Sequence, residues 1–348
     1  MGFEDVLRDV AFTMARFTAF AAHALLFGLV AILLIVLRPS FRPLTKPEWD
    51  RGRARISARL EGLVQASLMA SVVATLIVLL LQSILNAEIR GDDIDLDAML
   101  AVFETSFGQW SALRLPLAVG LSIMLVSRVR DWSLAGAGDS RSAPSPAWWV
   151  AWAGMSLALL ATSSLSGHAA VATPRWVSLV NDVTHLAAGS VWFTGVIVLA
   201  VILPSGWRAA GPDGRLRLLA SSVERFSHVG MVTIGIVAVT GAVNSLLHVG
   251  KLSDFIETGY GKTLLIKIAI FSAILPMGGI NHYFVRARLL KAVEEGTPTA
   301  SQKLFRKTIA VELVIALSIV GVTGLLVGLA RTKEVVVPQQ VEVTSGQT

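Results

Sequence analysis

Long apolar segments recur along the whole chain and alternate with short polar ones. Each apolar run has about 20 residues, which is long enough for a helix to cross the roughly 30 Å hydrocarbon core of a bilayer. We count eight runs, at residues 11–37, 57–82, 110–127, 147–166, 177–203, 226–248, 262–285 and 307–330. The pattern predicts an all-α protein: a polytopic transmembrane helical bundle of about eight spans.

Composition supports this prediction. Apolar residues make up 54% of the chain and charged residues 16%, against about 25% charged in soluble domains. The connections are too short for a soluble domain, so the net charge of +6 belongs to loops and gives no reason to expect nucleic-acid binding. We divide the chain into an N-terminal membrane half (1–145), a second membrane half (146–331) and a polar C-terminal tail (332–348).

The distribution of Lys and Arg predicts the orientation. The loops after the first, third, fifth and seventh spans hold 20 of the 30 basic residues. The positive-inside rule places these loops in the cytoplasm and both termini on the opposite side. Three basic residues fall within spans near the outside, and we expect them to reach the outer surface by snorkelling. They are Arg16, Arg114 and Lys267. The alternative is that they hold an anion or neutralise Asp182.

A short repeat suggests a duplication. Residues 104–114 read ETSFGQWSALR and residues 257–267 read ETGYGKTLLIK, and both segments open a span from the outside. The chain would then be a tandem 4+4 repeat, in which two four-helix halves have the same orientation and are related by an axis along the membrane normal. Arg114 and Lys267 would occupy equivalent positions.

Ionisable residues inside the membrane are costly and indicate function by default. By depth, they form an outer group (His168, Asp182, His185 and His248), an inner pair (His228 and His282) and one residue between, His23. Glu312 lies near the depth of the inner pair. Four of these histidines could also have a purely structural role without binding a metal. His248 and His282 could be interfacial histidines that touch water, His228 a satisfied polar residue at a helix end, and His23 a hydrogen-bond donor to a carbonyl.

The outer group is the strongest candidate site. Asp182 and His185 are three residues apart, so on a helix they share a face, and the preceding turn brings His168 back toward them. Imidazole suits copper, zinc, iron and nickel, and thiolate ligands are excluded because the chain has no cysteine. Spacing alone does not identify the metal. No HExxH motif is present in any span, and we do not expect an enzyme.

Five segments resemble the copper-resistance protein D (CopD) family of bacterial inner-membrane proteins. They are SGHA (166–169), DVTHLAAGSVWFTG (182–195), RFS (225–227), TG (240–241) and ETGYGKTLLIK (257–267). The resemblance implies a multi-pass protein of the plasma membrane that handles copper and is associated with its movement from periplasm to cytoplasm. The outer histidines of the family map onto His168 and His185. Thr194 stands where a second glycine is common, which should affect packing more than chemistry.

The sequence therefore predicts a copper permease. Copper would be captured outside by His168 and His185, with Asp182 as a ligand or as the group that orients His185, and would then pass toward His228 and His282. A copper ion is the expected bound species, and a periplasmic copper chaperone is a possible partner. Two alternatives remain open: a haem protein that transfers electrons, with His185 and His248 or His228 and His282 as axial ligands, and a non-transporting copper sensor or docking platform.

Overall fold

The protein is helical throughout the part that the computed structural model describes, with no strand in that part. The described residues are 3–42, 44–91, 93–126, 144–167, 174–249, 251–296 and 299–328. Within these described residues, eight helices are long and apolar enough to cross a membrane, which confirms the predicted fold class. Their spanning portions are α1 (Leu7–Ser40), α2 (Asp50–Arg90), α3 (Ser106–Val126), α4 (Pro146–Leu165), α5 (Arg175–Ala209), α6 (Gly214–Leu247), α7 (Gly259–Glu295) and α8 (Ala300–Leu326).

Several helices are longer than the apolar runs that predict them. The helix that contains α2 begins at Lys46, and the one that contains α6 covers Gly211–His248. Two short helices, Leu96–Leu100 and Asp254–Glu257, precede α3 and α7 on the predicted outer side. The extra turns of α2 are rich in arginine, so hydropathy alone could not identify them as helical.

In the described part of the chain, three spanning helices contain a wide π turn: Ile32–Leu37 in α1, Val198–Ile202 in α5 and Ile280–Val285 in α7. Pro39 and Pro204 follow the first two. Proline has no N–H to donate and crowds the preceding turn, and a wider turn relieves this conflict. The turn in α7 contains His282.

Helices α1 and α5 form the centre of the bundle. In their most apolar windows 61% and 67% of residues are buried, against 11% in α7. The two helices cross closely at Gly28, where a Cβ atom would collide with the carbonyl of Ser190 and the side chain of Thr194. Thr194 Oγ1 also donates a hydrogen bond to the carbonyl of Ala24 (3.1 Å). Close approach with hydroxyl bonds between helices is typical of membrane packing, and it gives Thr194 a packing role.

The two repeated segments form the same local structure. Thr105 caps α3 by accepting a hydrogen bond from the N–H of Gly108, and Thr258 caps α7 by accepting one from Gly261, both at 3.0 Å. At each glycine a Cβ atom would collide with the backbone of the preceding turn. This explains the shared Glu-Thr-x-x-Gly pattern. The duplication of the two halves stays a prediction.

The snorkelling expected of Arg114 is wrong. Its side chain is buried and binds the C-terminal end of α4, where Nε donates to Thr162 Oγ1 (2.9 Å) and Nη2 donates to Ser166 Oγ (2.7 Å). The last carbonyls of a helix carry partial negative charge, so a cation is stabilised there. Arg114 thus fixes the helix end that immediately precedes His168.

On the predicted inner side, Glu48 joins the two halves of the chain. Its carboxylate accepts hydrogen bonds from the N–H and hydroxyl of Thr45 (both 2.9 Å) and from Arg217 Nη2 at the start of α6 (3.1 Å). Gly214 leaves the space that the Glu48 side chain occupies. The hydrogen bonds from Thr45 and the charge of Arg217 lower the pKa of Glu48.

Candidate metal-handling sites

Polar side chains of α4, α5 and α6 meet at the predicted outer side and form what we call the outer cluster. Its members are Ser164, Asn181, Asp182, His185, Thr240 and Asn244. Asp182 Oδ2 accepts a hydrogen bond from Ser164 Oγ (2.7 Å), and its Oδ1 accepts one from Asn244 Nδ2 (3.2 Å). Asn181 Nδ2 donates to Asn244 Oδ1 (2.8 Å) and to the Thr240 carbonyl (2.9 Å). The carboxylate is therefore fixed by three helices.

The hydrogen bonds of His185 determine which of its nitrogens can bind a metal. Its Nδ1 lies 2.9 Å from Thr240 Oγ1, and that hydroxyl donates its own hydrogen to the carbonyl of Ile236 (2.6 Å). Thr240 must then accept from Nδ1–H, which leaves the lone pair on Nε2. A metal-binding histidine usually donates its other N–H in this way. Gly241 gives the ring room, since a Cβ there would lie 3.3 Å from His185 Cε1.

Lys267 adds a positive charge to this region. It lies on α7, partly buried, and its charge acts on both Asp182 and His185. Lys267 therefore attracts the Asp182 carboxylate and opposes a second positive charge at the imidazole. The sequence offers neutralisation of Asp182 as an alternative role for Lys267, and the charge interaction between these two residues agrees with that alternative.

The complete outer site depends on residues that the structure does not describe. His168 lies outside the described residues. The helix that contains α6 ends at His248, and the side chain of His248 is likewise outside the description. Among the described residues, no three His, Asp or Glu side chains are placed to hold a metal ion. The set of His168, Asp182 and His185 stays a prediction.

The structure brings the two histidines of the inner pair together. The ring centroids of His228 on α6 and His282 on α7 are 5.5 Å apart, with an angle of 87° between the rings. His228 Nδ1 lies 2.8 Å from the carbonyl of Glu224 and therefore donates to it. His282 Nδ1 lies 2.8 Å from Ser227 Oγ. Since each Nδ1 is engaged, Nε2 is the nitrogen that remains for another ligand.

His23 occupies a different part of the bundle. It is fully buried in α1, and its Nε2 lies 2.9 Å from Ser71 Oγ on α2. Among the described residues its Nδ1 has no hydrogen-bond partner. An unsatisfied buried nitrogen is costly. This position agrees with the predicted intermediate depth, and binding of a metal there stays a prediction.

Uncharged polar residues were missed at the sequence level. Asn181, Thr240 and Asn244 lie in apolar helices, and an amide in a membrane span is itself an informative signal. Asn181 directly precedes Asp182, and Asn244 follows Thr240 by one helical turn. Their partners could not be read from spacing because contacts between helices depend on how each helix is rotated.

Two family models match the chain. The model for copper resistance protein D matches residues 220–326, and the model for the copper resistance protein D-like N-terminal domain matches residues 7–175. The chain is similar to the copper transport protein CutJ of Bacillus subtilis (strain 168), with 27% identity over 185 residues, which is 53% of this chain and 32% of that protein.

The chain is also similar to copper resistance protein D of Pseudomonas syringae pv. tomato, with 26% identity over 170 residues. This match covers 48% of the chain and 54% of that protein. The chain thus spans about a third of the first relative and about half of the second. No solved structure matches the chain.

Proposed function

The chain belongs to the copper resistance protein D family, and from this premise we propose that it transports copper ions across the bacterial plasma membrane. Its relatives are named for copper transport and copper resistance, not for an enzymatic reaction. The observation that carries the proposal is the position of histidines on α6 and its neighbours. Thr240 of α6 holds His185 near one side, and His228 of α6 meets His282 near the other. Thr240 and His228 are 12 positions apart on the helix, which corresponds to about 18 Å.

We assign capture of copper to His168 and His185. The tautomer of His185 with a lone pair on Nε2 can bind a metal, and Thr240 fixes the orientation of the ring. Asp182 already accepts hydrogen bonds through both carboxylate oxygens. We therefore assign it the orienting role in this cluster, where it also balances the charge of Lys267.

Copper would then pass to the inner pair. Imidazole is an exchangeable ligand for copper, so successive histidines can transfer the ion without one deep energy minimum. His228 is exposed and the helix that carries His282 is largely unburied. Both features favour release over retention. His23 stays a candidate copper ligand at an intermediate depth, because its Nδ1 has no hydrogen-bond partner among the described residues, although it lies against α2 and away from the two other sites.

The proposed orientation places both termini in the periplasm, because the basic loops belong in the cytoplasm. Reporter tags at either terminus should be accessible from the periplasm, whereas a tag within residues 40–55 should be protected. A protected C-terminus would contradict the assignment of the two sides.

The proposal is tested by reconstitution. Purified protein in vesicles that contain a trapped copper chelator should accumulate copper faster than protein-free vesicles. Binding of copper without accumulation would instead indicate a sensor or a docking platform. The absorption spectrum of the same sample should have no Soret band, and a strong Soret band would indicate a haem protein.

A further inference from the structure

A partly open cavity of about 40 Å³ lies in the second half of the bundle, between α5, α6, α7 and α8. That volume is enough for more than one water molecule. Most of its wall is apolar, and the polar side chains among its described lining residues are Ser227, Asn281 and Glu312, besides the indole of Trp192. An apolar wall with a few convergent polar groups is typical of a binding site.

Glu312 is the chemically unusual member of this wall. Its side chain is 4% exposed, and Oε1 accepts a hydrogen bond from Asn281 Nδ2 (2.7 Å). Among its described lining residues, the cavity has no Lys, Arg or His. Among the described residues, the buried Oδ1 of Asn281 has no hydrogen-bond partner. An ionised carboxylate here would be costly without a cation, so the site calls for a proton or a positive ion.

The cavity is connected to the inner pair. Asn281 directly precedes His282 in α7, and Ser227 both lines the cavity and hydrogen-bonds His282 Nδ1 (2.8 Å). A copper ion held by His228 and His282 would therefore bring its charge close to Glu312. A nearby positive charge favours the ionised form of a carboxyl group.

We propose that Glu312 is the proton-carrying group that couples copper movement to proton movement. Without copper at the inner pair, its carboxyl group holds a proton. When copper arrives, the O–H bond of Glu312 breaks, the proton passes to water in the cavity, and the carboxylate left behind balances the metal charge. No electron is transferred. This inference rests on the proposed copper transport and assigns its coupling ion.

The charged groups near the cavity indicate that the charge of copper at the inner pair is the one that changes during transport. On α6 and α7, Glu224 is paired with Arg286 (Oε1 to Nη2, 3.2 Å), so these two charges balance. The other titratable groups within two residues of the cavity lining on those helices are Arg225, His228, His282 and Tyr283, and none of the four is itself among the described lining residues. Among those lining residues, α5 contributes no titratable group, and α1, which also packs against α8, contributes no residue. Copper at the inner pair is then the charge that changes.

The test measures protons released when Cu(I) is added to the purified protein in weakly buffered detergent near neutral pH. The wild type should release about one more proton per copper ion than Glu312→Gln. Glu312→Asp should restore the release because it keeps the acid. Glu61→Gln, which alters a carboxyl group on α2 away from the cavity, should behave like the wild type. Equal release from the wild type and Glu312→Gln would overturn the proposal.

An infrared spectrum gives a second measurement that needs no transport. The wild type should have a protonated-carboxyl band that disappears on addition of Cu(I) and is absent from Glu312→Gln. If this band is absent and copper uptake instead follows a sodium gradient, the cavity binds sodium and the proposal is wrong. If vesicles accumulate no copper but the band responds to copper, the transport function fails and the proton site stands.

Discussion

The outer cluster and the inner pair use the same type of side chain in opposite surroundings. His185 and Asp182 lie on α5, the most buried spanning helix of the described structure, and hydrogen bonds from neighbouring helices fix them. His282 lies on α7, the least buried, and His228 is exposed. A fixed ligand loses less entropy on binding and therefore binds more tightly. We infer that the outer cluster captures copper and the inner pair releases it.

The largest expected effect is at the proposed capture ligands. His185→Ala or His168→Ala should abolish high-affinity copper binding, because each removes a direct copper ligand and not merely a residue that orients a ligand. The loss should exceed the roughly 10- to 100-fold that is typical when only an orienting group is removed. Copper titration of purified protein measures it. Thr184→Ala, which changes an exposed side chain next to His185, is the matched control and should bind normally.

A smaller loss should follow when the groups that orient the outer ligands are changed. Asp182→Asn keeps the shape of the side chain but removes its charge, and Thr240→Val removes the acceptor for His185 Nδ1–H. Each should weaken copper binding by about 10- to 100-fold. Complete loss of binding in Asp182→Asn would mean that Asp182 is itself a ligand.

The inner pair should show the opposite behaviour. His228→Ala and His282→Ala should leave copper affinity at the outer cluster unchanged and slow accumulation in vesicles by about tenfold, which corresponds to a barrier about 1.4 kcal/mol higher. Ser272→Ala, on the exposed surface of α7, is the control. A large loss of outer affinity in either variant would show that the two regions form one site.

The smallest effect concerns the link between the halves on the inner side. The lowered pKa of Glu48 means that its ionised form stabilises the folded protein at neutral pH, and that this stability is lost as the pH falls below 4.5. Glu48→Gln should cost about 1 kcal/mol at neutral pH, the usual size of a capping interaction. Thermal unfolding in detergent at pH 7 and pH 4 measures it, with Asp50→Asn as the exposed control. An equal cost at both pH values would exclude the charge as the cause.

The sequence predicted the fold better than the sites, for physical reasons. A bilayer requires about 20 apolar residues per span, so the eight spans follow from hydropathy, and the depth of each histidine follows from its place within a span. Rotation about a helix axis is not fixed by hydropathy. For that reason the contacts of His185 with Thr240 and of Asp182 with Asn244 needed the structure.

Arg114 shows a further limit of sequence reasoning. Its position near a membrane surface suggested snorkelling, but the structure directs it inward to the end of α4. A sequence does not reveal which helix end lies within reach of a buried cation. The cavity beside Glu312 was missed for a similar reason, since it depends on how four consecutive helices are rotated toward one another.

One measurement tests most directly whether the outer cluster captures copper and the inner pair releases it: copper binding and copper accumulation determined on the same vesicle preparation. The wild type should bind and accumulate copper, the His168→Ala, His185→Ala double variant should do neither, and the His228→Ala, His282→Ala double variant should bind copper but accumulate it slowly. Accumulation at the wild-type rate by the His168→Ala, His185→Ala variant would contradict the account.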